Sequence, residues 1–218
     1  MKEKRQTAMV RVSDVENLRG GKVRITLDDG RHFLLLRSAY LDRPLEPGQE
    51  VDPAEYADWV LHRQYRSALD LAVSMLAARA CSRGEIERKL RLKDYSPETV
   101  EMVLYKLESN HLLDDRAFAD QWARYRAGMK YGPHRISQEL RRKGVSSEDA
   151  ETALGSVPES DQLESAVALA EKALRRGKAD EDPRKARQRI LAAIVRRGYG
   201  WDIARKAVDS VLSDPEET

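Results

Sequence analysis

Apolar and polar positions follow two different periods along this chain. Before about residue 60, Val23, Ile25 and Leu27 alternate with Arg24 and Thr26, the two-residue period of a strand with one buried face. Asp28-Asp29-Gly30 is a tight-turn sequence, because glycine accepts the positive φ such a turn requires, and His32 to Leu36 supplies the returning strand. Val10-Arg11-Val12 offers a third strand and Leu45-Glu46-Pro47-Gly48 a second turn. Pro53 can open a short helix carrying Tyr56, Trp59 and Val60. From about Tyr65 the alternation stops and helix starts recur. Ser82-Arg83-Gly84-Glu85 has the form of a capping box, in which serine and glutamate each satisfy a free backbone amide. Ser96-Pro97-Glu98 places a cap residue before a first-turn proline, and Asp114, Ser146 and Asp182-Pro183 open further helices. Gly132-Pro133, Gly144 and Gly198-Tyr199-Gly200 read as joints.

The helical part repeats. Shifted by 50 residues, Ile86 falls on Ile136, Leu90 on Leu140, Arg91 on Arg141, Lys93 on Lys143 and Leu104 on Leu154. Shifted by a further 54, Ile136 falls on Ile190, Leu140 on Ile194, Arg142 on Arg196, Lys143 on Arg197 and Gly144 on Gly198. Helix periodicity alone would align apolar positions, but not joints and charges as well. The units hold helices at 65–80, 82–93 and 96–109; at 114–130, 133–143 and 147–155; and at 160–176, 183–197 and 201–213. The expected fold is mainly α, with about nine helices in tandem three-helix units behind a small module containing a β-hairpin. The expected divisions are 1–62 for the strand module, 63–110, 111–157 and 158–213 for the three repeats, and 214–218 for an acidic tail. The polar spacer from Gly177 to Asp182 leaves the third unit room to pivot.

Composition sharpens this picture. Charged residues make up 35% of the chain and aromatics only 6%, which suits thin helical layers better than one thick core. The net charge of +2 conceals alternating blocks: 61–145 carry net +6, 146–171 net −7 and 172–206 net +8. Such blocks point to a polyelectrolyte partner, or to a protein with complementary patches; a solvated helix surface is the plainer reading of any single block. No apolar run reaches the ~18 residues of a membrane helix, and Met1-Lys2-Glu3-Lys4-Arg5 lacks an apolar signal core. The lone Cys81 allows no internal disulfide, so the cytoplasm is the expected compartment, and a structural thiol the expected role.

Catalytic signatures are missing from the sequence. Gly20-Gly21-Lys22-Val23 does not complete a phosphate loop, and the histidines at 32, 62, 111 and 134 are scattered. Asp114-Asp115 after His111 reads as a helix cap and a first-turn charge favoured by the helix dipole. The sequence therefore calls for no enzyme, no metal and no cofactor.

Binding is where the pattern leads. Basic residues recur on the middle helix of each unit: Arg88, Lys89, Arg91 and Lys93; Arg135, Arg141, Arg142 and Lys143; Arg187, Arg189, Arg196 and Arg197. Arg124 joins them as a candidate on the preceding helix. Lys93, Lys143 and Arg197 have a second reading, since a cation at a helix C-terminus offsets the dipole. Arginine suits phosphates and carboxylates alike, by paired hydrogen bonds. Phe118, Trp122 and Tyr125 have the spacing of a core stripe, whereas Tyr131 and Trp201, beside glycine joints, remain candidates for stacking.

Taken together, Leu113-Asp114-Asp115-Arg116-Ala117-Phe118-Ala119, then Trp122, Gly132 and Ile136, then Glu139-Leu140-Arg141-Arg142-Lys143-Gly144-Val145 resemble the core of the RecX regulatory proteins. Ser82, Glu85-Ile86, Lys89-Leu90, Val100, Val103 and Leu107 fit the preceding unit of that family, and the hairpin with Leu45, Pro47-Gly48 and Val51 resembles the small module many members carry. The resemblance is strongest over 65–155. It implies three tandem three-helix units and a role in binding the RecA recombinase filament on single-stranded DNA, where members lower ATP hydrolysis, strand exchange and filament growth. It implies no catalytic residues. A monomer without a membrane partner is expected, and direct DNA contact or a stand-alone DNA-binding module stays open as the alternative.

Overall fold

The computed structural model describes residues 8–177 and 180–212. The acidic tail expected at 214–218 lies outside them. The chain forms two compact units, one taking in the described residues up to Ala78 with Lys89–Lys106, the other Arg79–Arg88 and what is described from Leu107 onward.

The first unit opens with the strand module. β1 (Val10–Leu18), β2 (Lys22–Leu27), β3 (His32–Leu36) and the two-residue β4 (Glu50–Val51) form one sheet in the order β3-β2-β1-β4. All pairings are antiparallel, with Val23 opposite Leu35 and Ile25 opposite both Val15 and Phe33. The two-residue period puts Val23, Ile25 and Leu27 on the buried face, joined by Val12 and Leu35. A short helix, α1 (Arg37–Asp42), follows β3 and was not legible as such. Tyr56 closes the module from α2 (Pro53–Ala78), packing edge-on against Phe33 at 5.1 Å between ring centroids. Burial pushes its hydroxyl up to about 12, and that hydroxyl donates to the Arg43 carbonyl at 3.1 Å.

Helix α2 departs from expectation. A short helix at Pro53 and a second at 65–80 are in fact one continuous element of 26 residues. The reason lies in Leu61-His62-Arg63-Gln64-Tyr65, which contains neither glycine nor proline to break it. Its buried residues pass from Tyr56 and Val60 to Ala68 and Ala72.

The remaining helices are α3 (Arg83–Arg91), α4 (Pro97–Ser109), α5 (Asp115–Gly128), α6 (Pro133–Lys143), α7 (Ser147–Gly155), α8 (Glu159–Leu174), α9 (Pro183–Arg196) and α10 (Trp201–Leu212). The second repeat, α5 to α7, closes over Phe118, Ala119, Ala123, Ile136, Leu140 and Ala150. The third, α8 to α10, closes over Ala166, Ala170, Ile190, Ile194, Tyr199 and Ala204. Alanine at so many core positions lets the helices approach closely, which is how a chain with few large residues fills its interior. The caps sit where the sequence places them. Ser82 and Glu85 form the reciprocal box, and Asp114, Ser146 and Asp182 accept from the backbone amides of Ala117, Asp149 and Lys185.

Within the second unit, consecutive repeats meet where their middle helices end. The amides of Gly132 and His134, at the start of α6, donate to the carbonyls of Arg197 and Gly198, just past α9, at 2.9 and 3.0 Å. The Ser82 hydroxyl, at the start of α3, donates to the Lys143 carbonyl at the end of α6. Groups that a helix end leaves without partners are thus satisfied by the next helix end, with the dipoles aligned head to tail. The contact is close. A Cβ on Gly84 would lie 2.7 Å from Gly144 Cα, and one on Gly132 would lie 2.3 Å from the Gly198 carbonyl carbon. Gly144 and Gly198 also hold φ of 86° and 96°, the left-handed conformation that ends each helix. Glu181, in the spacer expected to act as a pivot, is gripped by Arg189 on α9, whose guanidinium also donates to the Ala173 carbonyl at 2.7 Å.

Gly84→Ala and Gly132→Ala should each destabilise the folded chain by about 1–3 kcal/mol through overpacking of backbone on backbone. Gly128→Ala, where nothing lies within 4 Å of the added carbon, should be neutral or stabilising by up to ~1 kcal/mol. Urea unfolding followed by circular dichroism distinguishes the two classes.

Candidate functional site

Helix α6 organises the site. Gly132 and Pro133 start it, the left-handed Gly144 stops it, and Ile136 and Leu140, one turn apart, anchor it in the core. The face opposite those anchors carries Arg135, Gln138 and Arg142, with Arg141 beside them; the three arginines are exposed. Across from it runs the last turn of α9. His134, Arg135, Gln138 and Arg142 from α6, with Arg196 from α9 and Gly198 just past it, line a cleft of about 320 Å³. Glu139 lines it too, but its carboxylate is already engaged. Arg126 holds both its oxygens, the Trp122 indole donates to it at 3.3 Å, and Arg135 reaches it at 3.4 Å. Burial pushes the Glu139 carboxyl up, and the hydrogen bonds and charge of Arg126, with Arg135 and Trp122, outweigh that and hold it below the ordinary carboxylate range.

Three guanidiniums surround Tyr131 in the loop before α6. Arg126 lies 3.9 Å from the ring centroid, and Arg135 and Arg197 each lie at 4.7 Å. This ring is therefore stacked on arginine rather than open for a base. Of the aromatic stripe on α5, Phe118 is buried and Trp122 half-buried, but Tyr125 turns outward and is 59% exposed.

Lys143 is committed to the other joint. Its ammonium sits 2.9 Å from Glu85 and 4.1 Å from the Trp122 ring centroid, and its side chain is only 18% exposed. Burial raises the Glu85 carboxyl, but hydrogen bonds from Arg79, Lys143 and the Ser82 amide override it and leave it lowered. Arg88, though exposed, donates to the Arg142 carbonyl at 2.8 Å across the same joint. Asp115 does more than favour its own helix dipole. Half-buried beside α3, it accepts from the Arg83 amide at 2.6 Å, and burial pushes its carboxyl up.

The basic residues singled out in the sequence thus divide. Arg135, Arg142 and Arg196 are brought together in one cleft, with Arg141 exposed alongside. Arg197 flanks that cleft, half-buried against Tyr131. Arg124 instead lines a separate, partly apolar cavity of about 340 Å³ with Tyr131, Pro158 and Asp161. Arg91 and Lys93 are exposed in the other compact unit, and Lys143 is half-buried in its pair with Glu85. Sequence reasoning read Glu85 as a capping-box residue and Glu139 as part of a family motif, and missed that both carboxylates organise these cations. Beyond the capping-box spacing of Glu85, the available signal was their place beside the basic positions. Lys172 and Arg176 were also missed; they line a further hollow of about 340 Å³ that includes Arg196 and Arg197.

Models of the RecX family match three stretches: its first three-helix domain at 68–107, its second at 114–154 and its third at 159–208. The chain is 35% identical over 149 residues to the regulatory protein RecX of Mycobacterium sp. (strain KMS), covering 66% of this chain and 80% of that one. It is 29% identical over 210 residues to the RecX of Limosilactobacillus reuteri (strain DSM 20016), covering 95% of this chain and 79% of that one. A crystal structure of a regulatory protein RecX superposes with a TM-score of 0.66 at 28% identity, over 92% of this chain and 99% of that one.

The lowered carboxyls fix the sign of an acid effect. A carboxylate held below its unfolded value stabilises the fold above that value, and the stabilisation disappears as pH falls through the folded value. Glu139→Gln should cost about 1–3 kcal/mol at neutral pH. It should also flatten the loss of stability on acidification below about pH 4.5. Thermal melts of the variant and the parent protein at neutral and acidic pH measure both.

Proposed function

Since the chain belongs to the RecX family of regulatory proteins, we propose that it binds the RecA recombinase filament on single-stranded DNA and lowers ATP hydrolysis, strand exchange and filament growth there. One observation carries the reading at the level of residues. Arg142 and Arg196, equivalent in successive repeats, are exposed at the ends of their middle helices and line one cleft. A repeated surface of this kind suits a repeated partner, because each unit can engage a successive protomer and weak contacts add up. Exposed cations beside acidic stretches such as 146–171 suit a partner presenting both carboxylates and phosphates.

In this reading the protein is a binding regulator without a reaction of its own, acting as a cytoplasmic monomer. The strand module at 1–62 and the repeats at 63–110, 111–157 and 158–213 are its working divisions. No described helix is long and apolar enough to cross a membrane. Lys143 is set aside as a contact, because reversing its charge would strike the Glu85 pair inside the fold.

Titration into RecA assembled on single-stranded DNA, with ATP hydrolysis followed, tests the proposal. Inhibition is expected at protein levels too low to occupy naked DNA. Arg141→Glu with Arg142→Glu should raise the concentration needed by roughly tenfold while helix content stays intact. Undiminished inhibition by this soluble double variant would remove α6 from the docking face. No effect of the parent protein on the filament, with tight salt-sensitive DNA binding, would replace the reading by a stand-alone DNA-binding module.

A further inference from the structure

We infer that the end of α9 carries a binding site for single-stranded nucleic acid, formed by two neighbouring hollows that share Arg196. The inference deepens the filament reading by naming where the strand lies, and it is tested without recombinase.

The first hollow is the cleft between α6 and α9, mostly polar, with Arg135, Arg142 and Arg196 around it. Among the described residues, Arg142 and Arg196 enter no ion pair, and the cleft's carboxylate, Glu139, is taken by Arg126 and Arg135. The cleft thus keeps an excess of positive charge in a concave setting, where field lines concentrate. Guanidiniums so placed suit a phosphate, whose oxygens accept paired hydrogen bonds.

The second hollow lies on the other side of Arg196, between α8 and α9. Lys172, Arg176 and Arg196 are its exposed cations, whereas Leu169, Ala173 and Ala193 are half-buried and apolar. Arg189 also lines it, but is tied to Glu181. Cations over an apolar floor match one nucleotide unit, with the phosphate at the rim and the sugar or base against the floor. Because Arg196 belongs to both hollows, a strand can run from one to the next with phosphates in each.

Two features favour an unpaired strand. A duplex keeps its bases stacked inside, so the apolar floor would go unused. In addition, Trp201 is 58% exposed at the start of α10, one residue from Gly200, which packs beside His134 of the first hollow. An exposed aromatic next to a basic groove is the combination that holds unpaired bases by stacking. Both hollows fall at the net +8 stretch of the chain, 172–206, or against it.

The test is fluorescence anisotropy of a short labelled oligothymidylate titrated with the full chain, with no recombinase present. Arg142→Glu with Arg196→Glu, and separately Lys172→Gln with Arg176→Gln, should each weaken binding by roughly tenfold or more and reduce the salt dependence. Arg184→Glu with Arg205→Glu, the same charge change as the first pair at exposed positions outside the hollows, should have a much smaller effect. Circular dichroism checks folding, and the milder glutamine pair keeps the test open if the glutamate pair fails to fold. Parental affinity in both folded hollow variants, or equal loss in the control, would overturn the site. Equal competition by a duplex of the same length would overturn its preference for an unpaired strand. Displacement of the oligonucleotide by polyglutamate at equal charge would reassign the hollows to a carboxylate-bearing protein. Loss of oligonucleotide binding with filament inhibition retained would leave the docking proposal standing, and the reverse outcome would leave this site standing.

Discussion

The middle helices of successive repeats meet end to end at a distance that only glycine permits. With backbone against backbone at both joints, donors at one helix start reach carbonyls at the other helix end: the Ser82 hydroxyl at Gly84–Gly144, and the Gly132 and His134 amides at Gly132–Gly198. Residues near these contacts inherit fixed positions. Lys143, one residue before Gly144, is brought to Glu85, and Arg197, one residue before Gly198, is brought to the Tyr131 ring. A cation that would fray in solvent at an isolated helix end is here a fixed part of the joint.

The joints sort the charge of the chain into two populations. Arg126 and Lys143 and the carboxylates they meet are paired within the fold, where partly buried pairs with several hydrogen bonds resist screening better than surface pairs do. Arg141, Arg142 and Arg196 lie on the outer side of the same helix ends and face water. Placing both populations at one location has a physical consequence. The inner pairs hold the backbone that carries the outer arginines, so those arginines are presented on a rigid base although their own side chains are exposed.

Local chemistry was legible and long-range chemistry was not. The strand period of Val23, Ile25 and Leu27, the caps at Ser82, Asp114, Ser146 and Asp182, and the coincidence of Gly144 with Gly198 under a shift all concern residues near in sequence, or a pattern that repeats. They led to the mainly helical fold and to the family. The fate of Lys143 depends on Glu85, 58 residues away, and that of Arg126 on Glu139, 13 away across a turn. Neither partner is singled out by spacing. The capping-box reading of Glu85 was correct but incomplete, since the same carboxylate also receives Arg79 and Lys143. Tyr131 illustrates the limit most clearly: a glycine joint beside an aromatic marks a special place, but not the arginines that cover the ring.

The outer helix ends of the series differ from the inner ones. The position equivalent to Gly144 and Gly198 at the end of α3 is Asp94, which takes the same left-handed turn with φ of 62° but brings a side chain, held by Lys22 at 2.7 Å. At the opposite terminus of the series, α9 begins with Asp182, Pro183 and Arg184, with no glycine to admit a neighbour. Neither outer end can reproduce the backbone contact that joins the inner ones. Among the described residues, the glycine-on-glycine contact is therefore confined to the two inner joints, and the outer helix ends close on their own side chains instead.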